Sequence, residues 1–124
     1  MQWDINSDRP VYIQLIEQIQ AGIISGYFKP GDKLPSVREL AAEAAVNPNT
    51  MQKALTELER CELLYTNRTS GRYITSDEKL IKKLKSSSAK AHILDFLEKM
   101  KQLGFDSKET LALINEIMEL KENH

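Results

Sequence analysis

The sequence predicts a mainly α-helical chain with a small β-wing, a winged helix-turn-helix followed by a C-terminal helical segment. Three observations predict it. Two short helical patterns flank a proline-bounded turn between residues 37 and 60, two strand-like runs around a Ser-Gly turn follow at once, and the remainder is a Lys-rich helical tail. A chain of 124 residues with 41% apolar content can build one modest core with an appendage. The division expected is a winged helix-turn-helix domain over residues 1–76 and a C-terminal helical segment over 77–124.

The first nine residues are polar and irregular, and Pro10 suits the first turn of a helix, where its missing N–H costs nothing. Over 11–24, Ile13, Ile16, Leu15, Ile19 and Ile23 recur at three- and four-residue spacing and give one buried stripe, which Gly22 weakens slightly. Ser25-Gly26 stops the helix, and Pro30-Gly31 marks a chain reversal. Ser36, with Glu39 three residues on, forms a capping box for a second helix over 37–45. Val46-Asn47-Pro48 ends that helix, because the residue before a proline avoids helical backbone angles. Asn47 is either the turn or the cap of a third helix over 49–60, whose Met51, Ala54, Leu55, Leu58 and Cys61 face inward. Leu63–Thr66 and Arg72–Thr75 then read as strands around a turn over residues 67–71. A long helix from Asp77 to about Leu103 is interrupted or merely solvated at Ser86-Ser87-Ser88. Gly104-Phe105 stops it, and Asp106 or Ser107 caps a last helix whose apolar face is Leu111, Ile114, Ile117 and Met118.

Composition excludes several functions. Apolar stretches are broken by charge and the N-terminus lacks a basic region with an apolar run, so neither a membrane span nor a signal peptide is expected. One cysteine cannot make an intrachain disulfide, and Cys61 with only His92 and His124 cannot build a zinc site, so a reducing, cytoplasmic setting is expected. No phosphate loop, metal spacing or cofactor fingerprint occurs, and no enzyme, metal or cofactor is expected. The 17 basic and 18 acidic residues leave a net charge of −1, so any nucleic-acid footprint must come from where the cations sit.

The run Leu34-Pro35-Ser36-Val37-Arg38-Glu39-Leu40-Ala41, with Val46-Asn47-Pro48-Asn49-Thr50-Met51-Gln52-Lys53-Ala54-Leu55 after it, resembles the GntR family of bacterial transcription regulators. The upstream Gly26–Ser36 segment extends the resemblance, which covers about residues 10–75 with the order of elements preserved. The Asn47-Pro48-Asn49-Thr50 turn and the short helical tail most resemble the YtrA-like subfamily. The resemblance implies a regulator, by family expectation a repressor, forming a homodimer through its C-terminal helices with each winged helix on one half of an inverted-repeat DNA operator. It implies control of transporter genes, and no large ligand-binding domain. A small-molecule effector would have room only between the wing domain and the C-terminal helices.

Carried over by position, Arg38 matches a family arginine early in the second helix that contacts DNA, and Gly71 matches a wing glycine that lets the hairpin tip approach the minor groove. The family often has arginine where this chain has Pro48 and Gln52, and usually glycine where it has Glu62. Independently of resemblance, the second helix of such a motif enters the major groove with its N-terminal residues near base edges. Asn49, Thr50, Gln52 and Lys53 occupy those places. Asn and Gln pair adenine bidentately, Lys reaches guanine or phosphate, and Thr50 and Ser36 suit phosphate oxygens. Arg38, Lys53, Arg68 and Arg72 are expected to share the DNA side, with Glu17, Glu43, Glu57 and Glu59 on other faces. Other readings stand beside these. Winged helices also serve as protein-interaction modules, Arg38 could pair with a neighbouring glutamate, Asn49 could be a plain helix cap, and Lys79, Lys82, Lys83 and Lys85 could be a solvated face.

Overall fold

The structure is a computed structural model that describes residues 1–123. Its elements in order are α1 (Val11–Ser25), α2 (Val37–Ala44), α3 (Pro48–Arg60), β1 (Leu64–Asn67), β2 (Gly71–Ile74), α4 (Glu78–Gln102) and α5 (Ser107–Glu122). The chain divides into two compact units, Met1–Lys85 and Ser86–His124. His124 lies outside the described residues.

In the first unit, Leu15, Ile19 and Ile23 of α1 meet Leu40, Ala41 and Ala44 of α2 and Met51, Ala54, Leu55 and Leu58 of α3, all buried. Leu63, Leu64 and Ile74 close the core from the wing, and Leu80, Ile81 and Leu84 pack against it from the start of α4. That packing carries the unit past residue 76. The α1 stripe is shifted from the expected one: Ile13 and Ile16 are half-buried, while Gln14 is buried. Gln14 earns its place by hydrogen bonding, donating to the Asn6 and Arg9 carbonyls at 2.8 Å and accepting from the Asn6 N–H at 3.0 Å. The irregular N-terminal segment is therefore docked on α1, and a bidentate Arg9–Glu17 pair at 2.7 and 2.9 Å reinforces it. The Glu17 carboxylate raises the Arg9 pKa further, through its hydrogen bond and charge. Gly22 is a close-approach site, since a Cβ there would fall 2.8 Å from the Phe28 ring.

Helix ends follow the local chemistry. Ser36 and Glu39 make the predicted capping box on α2, and Asp106 and Glu109 make another on α5. Asn47 caps α3 by accepting from the Asn49 N–H, with Pro48 as its first residue, so Asn49 is not the cap. The predicted second helix ends one residue early because Ala45 is left-handed, and Val46 N–H returns to the Ala41 carbonyl at 3.0 Å. α3 ends likewise. Glu62 adopts φ 65°, its N–H reaches the Glu59 carbonyl, and Leu63 N–H reaches the Leu58 carbonyl at 3.0 Å.

That turn corrects the expectation for Cys61. It is exposed, because the chain reverses at Glu62 and sends Leu63 into the core in its place. A left-handed conformation costs a residue with a Cβ about 1–2 kcal/mol. Glu62→Gly is therefore expected to raise the unfolding free energy by about 1 kcal/mol, part of the relief being lost to glycine's freer unfolded chain. Denaturant titration checks it, and an unchanged or lowered midpoint would refute the strain at this turn.

The strands pair antiparallel with Leu64 opposite Ile74, Tyr65 opposite Tyr73, Thr66 opposite Arg72 and Asn67 opposite Gly71. Each strand thus begins one residue away from its predicted start. The outer edge of β2 is covered by the segment leading into α2, through Leu34 N–H to the Arg72 carbonyl and Ile74 N–H to the Asp32 carbonyl, both 2.8 Å.

In α4, Ser86, Ser87 and Ser88 are helical, so the helix is uninterrupted. Ser86–His124 is the second unit. There Ile93, Leu94, Leu111, Ile117, Met118 and Leu120 are all more than half exposed, and Thr110 is the buried side chain of α5. No helix among the described residues is long and apolar enough to cross a membrane.

Candidate nucleic-acid interface

α3 turns its residues by about 100° each, so Met51, Ala54, Leu55 and Leu58 face the core together. The opposite, exposed arc carries Asn49, Lys53, Thr56 and Arg60, with Gln52 to one side. It thus mixes the amides of Asn49 and Gln52, which can read base edges, with the cations Lys53 and Arg60, which suit phosphate. Thr56 Oγ1 donates to the Gln52 carbonyl at 2.9 Å, and Gln52 Nε2 approaches that hydroxyl at 3.4 Å. Thr56 belongs to this face by its spacing of four from Gln52. Thr50 lies at the edge of the buried arc and is half-buried, its backbone N–H bonded to the Asn47 carbonyl at 3.0 Å.

Lys53 stands on the same arc, its ammonium 3.8 Å from the centroid of the Tyr12 ring on α1. That cation–π contact orients the amine without neutralising it. On α2, Arg38 is exposed and has no carboxylate partner among the described residues; its helical neighbour one turn on is Ala42, with Glu39 and Glu43 on the next face round. The reading of Arg38 as half of a surface ion pair is not what the structure has. Ser36 spends its hydroxyl on the α2 cap, accepting from the Glu39 N–H at 3.2 Å, at the mouth of a groove.

That groove runs between the start of α2 and the wing, lined by Lys33, Ser36, Thr66, Ser70, Gly71 and Arg72 among others. Gly71 has φ 108°, which a side chain would resist, and Lys33 Cε lies 3.5 Å from where its Cβ would be. Lys33 is a residue the sequence reading missed. Its only signal was a place two residues before the Pro35-Ser36 cap, and the pairing of Lys33 with Tyr73 is what brings it to the wing. Arg68 is exposed in the hairpin turn, where Asn67 Oδ1 holds the Thr69 N–H at 3.0 Å. Arg72 departs from expectation. Its Nε donates to Glu59 of α3, so Glu59 is on the wing side and not on a remote face.

The structure thus exposes Ser36, Arg38, Asn49, Gln52, Lys53, Arg68 and Gly71 at the α2 cap and on α2, α3 and the wing of one unit, with Thr50 half-buried and Arg72 already paired. His92 is exposed in α4, and no group of three or more metal-ligating side chains is gathered among the described residues.

The family model for bacterial regulatory proteins of the gntR family matches residues 11–74. The chain is 36% identical over 113 residues to the uncharacterized HTH-type transcriptional regulator YhcF of Bacillus subtilis, covering 91% of this chain and 93% of that protein. It is 40% identical over 107 residues to the HTH-type transcriptional repressor YtrA of the same organism, covering 86% and 78%. Among solved structures, a GntR family transcriptional regulator from Listeria monocytogenes superposes with a TM-score of 0.83 at 38% identity, covering 90% of this chain and 98% of that one. AraR(DBD) in complex with operator ORX1 superposes with a TM-score of 0.53 at 26% identity, covering 60% and 99%. YhcF and YtrA are named as regulators, not enzymes, and their matches extend over 91% and 86% of this chain: the chain belongs to the GntR family of bacterial regulatory proteins, in its YtrA-like branch.

Proposed function

We propose that this protein is a sequence-specific DNA-binding transcriptional repressor that acts in the cytoplasm and takes an inverted-repeat operator as a homodimer. One observation carries the reading: the exposed arc of α3 presents Asn49, Gln52 and Lys53, and the same unit exposes the cations Arg38, Arg68 and Lys33, none of these four cations held by a carboxylate among the described residues. In the proposed complex α3 lies in the major groove with Asn49 and Gln52 at base edges, Arg38 and Lys33 grip the backbone, and the wing tip at Arg68 and Gly71 follows the adjacent groove. This local footprint reconciles duplex binding with a net charge of −1.

The dimer is supported by the second unit. Ile93, Leu94, Leu111, Ile117 and Met118 are exposed within the chain, a density of apolar side chains that calls for a covering partner. A second copy supplies a matching face, and two joined winged units make the second half-site contact intramolecular.

The test is a duplex-binding titration across salt on an operator recovered by genome-fragment selection. Each phosphate contact contributes about 0.9 to the slope of log affinity against log salt. Lys33→Ala is expected to lower the slope by about 0.9 per protomer and to weaken all duplexes alike, since a phosphate contact carries no sequence information. A wild-type affinity that hardly moves with salt contradicts the reading, and an unchanged slope in the variant removes Lys33 from the interface.

A further inference from the structure

We propose that the Glu59–Arg72 ion pair is a strut that fixes the wing against α3, so that Arg72 is a positioning residue and not a phosphate contact. The inference deepens the DNA-binding reading and rests on it for its duplex measurements. Its measurement on the free protein does not depend on that reading.

Four observations carry it. Arg72 sits opposite Thr66 in the hairpin, on the same face as the buried Leu64 and Ile74, because side chains two apart share a face of a strand. Its side chain is only 19% exposed and that of Glu59 30%, whereas the surface pairs Arg9–Glu17 and Asp95–Lys99 are about half exposed or more on both sides. The guanidinium Nε is committed to Glu59, near the C-terminal end of α3. The Arg72 carbonyl at the same time accepts from Leu34 N–H at 2.8 Å, on the segment that enters α2.

One residue therefore ties the wing to α3 through its side chain and to the α2 approach through its backbone. A two-stranded hairpin has little rigidity of its own. The Leu63, Leu64 and Ile74 anchors hold its base, and the ion pair fixes its tilt over the helix that carries Asn49 and Gln52. A partly desolvated, oriented pair does this better than a solvated one, since its geometry is screened and averaged less. The same pairing cancels the Arg72 charge locally, leaving Arg68 and Lys33 as the wing-side cations for phosphate.

The experiment compares wild type, Glu59→Gln, Arg72→Gln, the double variant and Arg68→Ala. Amide hydrogen exchange of residues 64–74 in the free protein reads wing opening, and duplex affinity across salt reads the contacts. With the strut, each Gln variant speeds wing exchange by about 5-fold or more and the double variant adds little to either, as coupled partners do. Both Gln variants then lose duplex affinity by a similar factor of about 3–10 with the salt slope unchanged, while Arg68→Ala lowers the slope by about 0.9 per protomer. Unchanged wing exchange in Glu59→Gln overturns the proposal. So does tighter duplex binding by Glu59→Gln together with a lowered slope in Arg72→Gln, which would make Arg72 a phosphate contact held in check by Glu59. If wild type binds no duplex at all, the DNA-binding reading fails by itself and hydrogen exchange alone decides on the strut.

Discussion

Ile114→Glu with Ile117→Glu is expected to leave the protein monomeric and to weaken its hold on a two-half-site operator by about 10²–10⁴-fold. Ile114 and Ile117 lie on α5, 36% and 55% exposed within the chain, and Leu111 and Met118 widen the same apolar surface. Glutamate is nearly as good a helix former as leucine, so the substitution charges the face without breaking the helix. Burying four carboxylates against a second copy is far costlier than leaving them in water. Light scattering or ultracentrifugation reads the mass, and circular dichroism reads the retained helix. The variant should bind a single half-site as weakly as the intact protein does. A dimer that survives both substitutions would move the interface elsewhere on the chain.

Arg38→Ala comes next in size. Arg38 is exposed and bears no ion pair among the described residues, so removing it should leave the unfolding transition within about 0.5 kcal/mol of wild type. A lost arginine contact to DNA costs about 1–3 kcal/mol, and a dimer loses it twice. The expected loss is therefore on the order of 30-fold to 10⁴-fold in operator affinity, with a lower salt slope. Gel shift and a melting curve on the same sample check both halves. Retained binding would place Arg38 outside the contact surface, and a fallen melting temperature would give it a structural task instead.

The features legible in the sequence were those set by neighbours in the chain. Ser36 and Glu39, Asn47 and Pro48, and Asp106 and Glu109 each settle a helix start within four residues, and the structure has all three starts there. The apolar spacing of Met51, Ala54, Leu55 and Leu58 likewise turns Asn49 and Gln52 outward with no further information. What was not legible depends on distant partners or on backbone conformations that composition does not announce. Cys61 has the spacing of an inward residue, yet the left-handed turn at Glu62 substitutes Leu63 for it. Gln14 reads as a polar surface residue until the Asn6 and Arg9 carbonyls come within its reach. Arg72 reads as one more wing cation until β2 brings it to Glu59, thirteen residues back. The serine run in α4 has weak local preference either way, and the flanking helical residues carry the helix through it.

The measurement that tests the central claim most directly is selection of genomic fragments by the purified protein at moderate salt, followed by gel shifts of the recovered sequence with wild type and Arg38→Ala. Wild type is expected to enrich a single inverted repeat, to bind it with a steep salt dependence, and to lose it on Arg38→Ala while remaining folded. Enrichment of no common sequence, with binding indifferent to Arg38, would contradict the account and turn attention to the same winged surface as a site for a protein partner.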